Sequence, residues 1–276
     1  MIKQAIIPLA GLGTRLLPLT SVFAKELLPI NGKPGLEYIL EECIEAGIKE
    51  VVFIISKKKM MIKKYFYNDK FYKDIIKKKG DLKIIKEYKK ILKYKKMIKF
   101  VFQDKPLGTG DAVYKTKKFI TDKYFLMLLP DDLIIKKNCS KSMIAVHNKF
   151  KAPVMASMKV NKNDVSRWGI YNIKKKIDKN NFIINNVVEK PSIKNSPSNN
   201  AVIGRYILPK TIFYKLKSLK PDKSGEFHIT DAIQALIEDD NKFIGHNFSG
   251  KYLDCGTMKG YIKSTLEISK KWNFAW

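Results

Sequence analysis

Cysteine, histidine and long apolar runs are scarce in this chain of 276 residues, which contains three cysteines and three histidines. Cys43, Cys139 and Cys255 lie far apart in the sequence, so neither a disulfide framework nor a zinc site is predicted. No apolar run approaches the roughly 20 residues of a membrane span, and the first residues resemble a strand rather than a signal peptide. We therefore expect a soluble, cytoplasmic protein with no membrane partner.

Arginine is also scarce, since only 3 of the 54 basic residues are arginine although the formal net charge is +28. Surfaces that bind nucleic acid favour arginine, so we do not expect a nucleic-acid partner. The segment 56–99 holds 18 lysines and four acidic residues, and so supplies +14 of the net charge. Its lysines alternate with apolar residues at helical spacing. This pattern favours a solvated helical excursion, and a nucleic-acid patch is the alternative.

The spacing of the apolar residues along the chain indicates an α/β protein. Apolar positions recur at helical spacing from Leu36 to Ile44, and Gly47 is placed to end that helix. Strands at 6–9 and 51–55 flank the helix, which gives a βαβ unit and implies a parallel pair. Further strands are predicted at 98–103, 124–129, 153–159, 169–173, 182–188 and 200–207. Further helices are predicted at 108–118, 210–217, 229–238 and 257–271.

The first strand runs directly into a glycine loop, Gly11-Leu12-Gly13-Thr14-Arg15. Glycine permits positive φ and a close approach of backbone N–H groups to phosphate oxygens. Arg15 adds a planar fork that suits phosphate, and Lys25 adds a point charge. Leu16 stands where a dinucleotide fingerprint has its third glycine, which argues against an NAD or FAD oxidoreductase.

Two carboxylates follow the strand at 124–129, in Pro130-Asp131-Asp132. If this strand is parallel to the first one, both carboxylates lie at the same sheet edge as the glycine loop. Carboxylates at that place are natural ligands for Mg²⁺ bound to a polyphosphate. A turn with a capping aspartate is the alternative that the residues leave open.

The glycine loop and the residues after it resemble a family signature. The residues that carry the resemblance are Gly11, Gly13, Thr14, Arg15, Lys25, Leu28, Pro29, Lys33 and Pro34. This string is similar to that of nucleotidyltransferases that couple a nucleoside triphosphate to a sugar 1-phosphate, and most similar to the UTP:glucose-1-phosphate uridylyltransferases. One departure is Ala24, where the family usually has proline before the catalytic lysine.

The resemblance assigns residues to the nucleotide side of an active site. It implies that Arg15 and Lys25 are catalytic and that Mg²⁺ binds to Asp131 and Asp254, with Asp132 in a supporting role. It also implies contacts with the base from Gln103 and Gly108, although Leu107 to Ala112 reads LGTGDA, with Asp111 in place of the usual histidine. The other nucleotide-binding residues that it implies are Ala10, Gly11, Gly13, Thr14 and Glu26.

Three later segments are similar to the family's sugar-phosphate pocket. Gly169, in Ser166-Arg167-Trp168-Gly169, implies close approach of a hexose ring to the backbone. Glu189 and Lys190, in Val-Glu-Lys-Pro, imply a carboxylate for sugar hydroxyls and an ammonium for the 1-phosphate. The segment 201–206 is the third. Apart from these three, the segment 225–233 also matches the family's pattern, although Phe227 and His228 replace its Ile-Gln pair.

The resemblance covers nearly the whole chain and implies its function. We expect one catalytic domain over 1–276, with a strand-rich sugar-binding part at 153–208, in an α/β fold. That fold would be a Rossmann-like three-layer sandwich with a mixed, mostly parallel central sheet. The expected reaction converts UTP and glucose 1-phosphate into UDP-glucose and pyrophosphate in a homodimer or homotetramer. The alternatives are a sister thymidylyl or adenylyl transferase, or a basic binding protein with a degenerate active site.

Overall fold

The computed structural model describes residues 1–270, which form both strands and α-helices. The strands are β1 (Gln4–Pro8), β2 (Pro29–Ile30), β3 (Lys33–Pro34), β4 (Glu50–Ile55), β5 (Ile98–Phe102), β6 (Tyr124–Leu128), β7 (Asp132–Ile135), β8 (Val154–Lys159), β9 (Gly169–Lys176), β10 (Asn181–Glu189), β11 (Asn200–Pro209), β12 (Ile244–Asn247) and β13 (Lys251–Asp254). The α-helices are α1 (Gly35–Glu45), α2 (Met60–Tyr67), α3 (Asp69–Lys79), α4 (Leu82–Met97), α5 (Gly108–Tyr114), α6 (Cys139–Phe150), α7 (Ile212–Ser218), α8 (Ile229–Glu238) and α9 (Met258–Ser269).

Nine of these strands form one sheet in the order β5-β4-β1-β6-β11-β8-β12-β10-β9. Strand β1 pairs in parallel with β4 on one side and with β6 on the other, so that Ile6 faces Val52 and Met127. The carboxyl ends of β1 and β6 therefore lie at one edge of the sheet. The glycine loop and Asp131 follow these two strands, which places them side by side.

The sheet is mixed, but the expectation of a mostly parallel sheet is wrong. Four pairs of neighbours are parallel and four are antiparallel, with a further antiparallel contact between β11 and β9. The reason is the connections in the second half of the chain. Strands β9 and β10 are joined by a turn in which Ile177 and Asp178 bond to Asn181, and a short hairpin forces its strands to run antiparallel.

The central strands carry apolar side chains on both faces, because helices cover both. Ile7 and Phe53 belong to one buried cluster, to which α1, α2, α4 and α6 contribute. Ile6 and Val52 belong to a second cluster on the opposite face, with α5, α7 and α8. Strands buried on both faces read as continuous apolar runs, which is why β1, β4 and β6 are visible in the sequence.

Other elements were missed or misjudged from the sequence. Helix α6, where Asn138 accepts from the Lys141 N–H at 2.8 Å, has no counterpart among the predictions, nor do β7, β12 and β13. The helix predicted at 108–118 ends at Tyr114. The segment 56–99 forms α2, α3 and α4. The last residue of the helix predicted at 257–271 lies outside the described residues. No helix within 1–270 is both long and apolar enough to cross a membrane.

Candidate active site

The glycine loop is a fixed, open turn beyond the end of β1. Gly13 has φ of +73°, which favours glycine, and a Cβ atom there would lie 3.0 Å from the Thr20 side chain, which would have to shift. The Thr20 hydroxyl donates to the Gly13 carbonyl at 2.8 Å and closes the loop. A Cβ atom on Gly11 would meet nothing within 4 Å. The loop therefore leaves open space for a ligand at Gly11, and the contact between Thr20 and Gly13 stabilises its backbone.

Lys25 and Asp131 form the charged centre of the site. The Lys25 ammonium donates to Asp131 Oδ2 at 2.7 Å, and Arg15 Nη2 lies 3.4 Å from the same oxygen. Burial opposes charge on both groups. The mutual attraction outweighs it, so the pKa of Lys25 is raised and that of Asp131 is lowered. Both groups are therefore ionised at neutral pH. Arg15 is mostly exposed, so its fork remains accessible to a ligand.

Asp254 reaches the same centre from the end of β13. The Gly256 N–H and the Thr257 hydroxyl donate to the two oxygens of Asp254 at 2.8 and 2.9 Å. A Cβ atom on Gly256 would lie 2.7 Å from Asp131 Oδ2, 3.1 Å from Arg15 Nη2 and 3.3 Å from Asp254 Oδ1, so the two carboxylates and the Arg15 guanidinium border one small gap that a side chain would fill.

The donor set at this gap suits a hard divalent cation. Mg²⁺ is commonly bound through one or two carboxylates together with substrate phosphates rather than by a cage of protein ligands. Residues 1–270 contain no group of three or more Asp, Glu, His or Cys side chains that could hold a metal ion. Asp131 and Asp254 are the residues that could hold such an ion.

Asp132, the neighbour of Asp131, is part of the scaffold. Its carboxylate accepts from the Tyr252 hydroxyl at 2.7 Å and from the Gly204 N–H at 2.8 Å. Burial, together with the charge of Asp131, raises the pKa of Asp132. Fully buried Arg205 donates to the Asp132 carbonyl at 2.6 Å and pairs with Glu42 at 2.8 Å. This Arg205–Glu42 support was missed because nothing in the sequence pairs two residues so far apart.

Gln103 and Gly108 lie together near the start of α5. Gln103 is 4% exposed, and its Nε2 donates to the Gly108 carbonyl at 3.0 Å and to Asp111 at 2.8 Å. Gly108 has φ of +87°, and a Cβ atom there would lie 2.5 Å from the Phe227 carbonyl oxygen. The Gly108 carbonyl and Asp111 thus take up both hydrogens of the Gln103 amide. Ala10 is buried beside the loop.

Two adjoining cavities bring most of the predicted residues together. One, of about 470 Å³, is lined by seven of them, namely Gly11, Gly13, Thr14, Lys25, Glu26, Gly108 and Asp131. The other, of about 770 Å³, contains Glu189 and Lys190. Thr109, Leu129 and His228 line both cavities. A ligand with phosphates in the first cavity would therefore lie next to a ligand in the second.

The second cavity has a carboxylate and an ammonium at its rim. A Cβ atom on Gly169 would lie 3.0 Å from Glu189 Oε2, so glycine at this position leaves that carboxylate room. Lys190 has φ of +44°, and its N–H donates to the Trp168 carbonyl at 3.0 Å. Both side chains are largely exposed, with Lys190 Nζ 3.7 Å from Glu189 Oε1. They are therefore available to hydroxyl and phosphate groups.

Glu26 differs from the other predicted nucleotide-binding residues, because its carboxylate already has a partner. Both of its oxygens accept from the Lys59 ammonium at 2.8 Å, and the Glu26 side chain is fully buried. Lys59 belongs to the segment 56–99, which the sequence predicted to be a solvated helical excursion. The sequence gives no local signal for this pair, since 33 residues separate the two side chains.

Comparisons with known proteins show which family the chain belongs to. The family described as "Nucleotidyl transferase" matches residues 4–271. A relative from Staphylococcus saprophyticus named UTP–glucose-1-phosphate uridylyltransferase 2 is 35% identical over 98% of this chain and 93% of its own length. A solved UDP-glucose pyrophosphorylase complexed with UDP-glucose is 34% identical, with a TM-score of 0.85, over 99% of this chain and 100% of that one. A UTP-bound enzyme of the same kind from Acinetobacter baumannii is 30% identical, with a TM-score of 0.89, over 99% and 95%.

Proposed function

Because the chain belongs to the nucleotidyl transferase family, we propose that it transfers the uridylyl group of UTP to glucose 1-phosphate, giving UDP-glucose and pyrophosphate. The observation that carries the proposal is the pair of adjoining cavities. One presents a glycine loop with Lys25 and Asp131, and the other presents Glu189 and Lys190. The names of the full-length relatives supply the choice of uridine and glucose.

The reaction needs positioning and charge stabilisation rather than a protein nucleophile. A phosphate oxygen of glucose 1-phosphate attacks the α-phosphorus of UTP, and the bond from that phosphorus to the oxygen bridging to the β-phosphate breaks. Lys25 and Arg15 stabilise the charge that develops on the leaving pyrophosphate. Lys190 holds the attacking phosphate, and Glu189 accepts hydrogen bonds from sugar hydroxyls. No covalent bond to the enzyme is required.

Mg²⁺ is the proposed cofactor, with Asp131 and Asp254 as the residues that would hold it. When bound, it would neutralise charge on phosphate oxygens. The support is the gap at Gly256, into which both carboxylates face and which a Cβ atom would obstruct. On the nucleotide side, Gly108 lines the first cavity and would lie against the base, and buried Gln103 would support it through its bond to the Gly108 carbonyl.

The proposal also covers the layers of the fold and the part of the chain that binds the sugar. Helices that cover both faces of the mixed sheet support a three-layer, Rossmann-like sandwich. The strands within 153–208 carry Gly169, Glu189 and Lys190, which supports the assignment of this part to the sugar.

The test is pyrophosphate release from a matrix of nucleoside triphosphates and sugar 1-phosphates in the presence of Mg²⁺. We expect the highest kcat/KM for UTP with glucose 1-phosphate, and no sustained release when the sugar phosphate is omitted. A preference for dTTP or ATP would reassign the nucleotide. Absence of release from every pair would contradict the proposed function.

A further inference from the structure

The strand-to-helix connection at the start of the segment 56–99 contacts the short stretch that carries Lys25. Lys25 belongs to a single helical turn, in which the Leu27 N–H donates to the Ala24 carbonyl at 2.9 Å. Lys25 Nζ lies 2.7 Å from Asp131 Oδ2, and a small displacement of the turn would break this contact. One turn of helix has little stability of its own, and outside contacts must hold it in place.

The first contact is the buried ion pair between Glu26 and Lys59. Glu26 directly follows Lys25, and the Lys59 ammonium donates to both Glu26 oxygens at 2.8 Å. Lys59 is 8% exposed, whereas its neighbours Lys57 and Lys58 are exposed. A buried, bidentate ion pair fixes the orientation of the two side chains as well as the distance between them. Of these three consecutive lysines, only Lys59 contacts Glu26.

The second contact lies on the other side of Lys25. The Ala24 N–H donates to the Met61 sulfur at 3.1 Å, and Ala24 is 2% exposed. A buried N–H needs an acceptor, and the thioether of Met61 is the one it has. The backbone of Ala24 has φ of −65° and ψ of 126°, an angle φ that proline also adopts.

Lys59 and Met61 are themselves firmly placed. They lie just beyond β4 and at the start of α2, whose Ile62 and Phe66 are fully buried. The Phe66 ring packs 5.8 Å from that of Phe53 in the central sheet. The contacts to Ala24 and Glu26 therefore connect the Lys25 turn to the sheet itself.

We propose that Lys59 and Met61 are positioning residues for Lys25, holding its turn on both sides so that the ammonium stays at the phosphate site. The inference rests on the proposed function, since it gives the lysine-rich segment a role in that reaction. It predicts that weakening either contact lowers kcat more than it raises the KM for either substrate.

The test compares Lys59→Gln and Met61→Leu with Lys58→Gln, an exposed control in the same turn. Misplacing a catalytic group slightly costs up to about a hundredfold, so we expect kcat of Lys59→Gln to fall about tenfold or more. Losing one neutral hydrogen bond should make Met61→Leu about two- to tenfold slower. Adding Ala24→Pro should restore Met61→Leu, since proline removes the unpartnered N–H and keeps φ.

Hydrogen exchange of the amides in 24–28 provides a readout that does not depend on turnover. We expect faster exchange in Met61→Leu that is concentrated in these amides, with at most a small fall in Tm. If kcat and exchange in Lys59→Gln and Met61→Leu match those of Lys58→Gln, or if their losses only follow a fall in Tm, the inference is overturned. An inactive wild-type protein would instead contradict the proposed function, and the exchange comparison would still decide the inference.

Discussion

Asp131 is the residue on which the charges of the candidate site converge, since Lys25 and Arg15 both approach its Oδ2. Asp131→Asn removes a negative charge and leaves an amide that is a poor ligand for Mg²⁺. We expect kcat to fall at least about a hundredfold, which corresponds to about 3 kcal/mol of transition-state stabilisation. The measurement is the rate across a Mg²⁺ titration, with Asp104→Asn on the exposed surface as the control. Wild-type rates at every Mg²⁺ concentration would contradict the assignment.

Lys190 tests the division of the site into two halves. Its ammonium is exposed at the rim of the second cavity, with Glu189 as its neighbour. Removing a charge-assisted hydrogen bond costs about 1.5–3 kcal/mol, so Lys190→Ala should raise the KM for glucose 1-phosphate about tenfold or more and that for UTP much less. Lys194→Ala, also exposed and nearby, is the control. Equal changes for both substrates would show that the halves have been misplaced.

At this scale the sequence predicted residues that act through local motifs, and missed those that act through distant partners. Gly11, Lys25 and Asp131 were found because each follows a visible apolar strand or stands in a characteristic string. Lys59 and Arg205 were not, because their partners Glu26 and Glu42 are 33 and 163 residues away. Exposure cannot be read from a run of lysines either, since Lys59 is buried and Lys58 is not.

Among the elements, the loop before α8 contains a pH-sensitive contact. His228 Nε2 lies 2.9 Å from Asp222 Oδ2, and this hydrogen bond raises the pKa of His228. The contribution of this pair to the free energy of unfolding is fully present below the ordinary histidine pKa of about 6.5. It is lost as the pH rises through the higher pKa that His228 has in the folded protein.

Asp222→Asn should therefore lower the titration midpoint of His228 towards its ordinary value. The measurement is the NMR titration of the imidazole protons, with His147 as an internal reference. Burial lowers the pKa of His147, and the substitution should leave its midpoint unchanged. An unchanged midpoint for His228 would mean that the contact with Asp222 is absent in solution.

The elements that the sequence revealed are those with a strong pattern of their own. Strands β1, β4 and β6 are buried on both faces and appear as apolar runs. Strand β7 has only four residues, and its register pairs Asp132 with Asp254, 122 positions later in the chain. Such a pairing has no local signal, and it was needed to bring the second carboxylate to the site. The antiparallel half of the sheet was misjudged for the same reason, since β11 pairs with three strands from different parts of the chain.

For the molecule as a whole, the +28 charge is the property most open to a different interpretation. Lys59 forms an ion pair with Glu26, and Lys90 forms ion pairs with Glu37 and Glu87. Many other lysines of 56–99 are exposed. We expect replacement of six exposed ones by glutamine to leave kcat/KM nearly unchanged at physiological salt, where screening acts over about 8 Å. The six are Lys57, Lys58, Lys77, Lys78, Lys86 and Lys89.

The same variant separates an enzyme from a nucleic-acid binder. A binding surface would give tight binding at 150 mM salt that weakens with a slope near −0.9 for each phosphate neutralised. Such binding, lost in the sixfold variant of a protein that releases no pyrophosphate, would contradict the account. Turnover retained in that variant would agree with it.

The most direct test of the central claim is to follow UTP and glucose 1-phosphate by ³¹P NMR in the presence of Mg²⁺ and the protein. The account predicts that both are consumed in equal amounts while UDP-glucose and pyrophosphate appear in equal amounts, with no UMP. Consumption of UTP without consumption of glucose 1-phosphate, or formation of UMP, would contradict it.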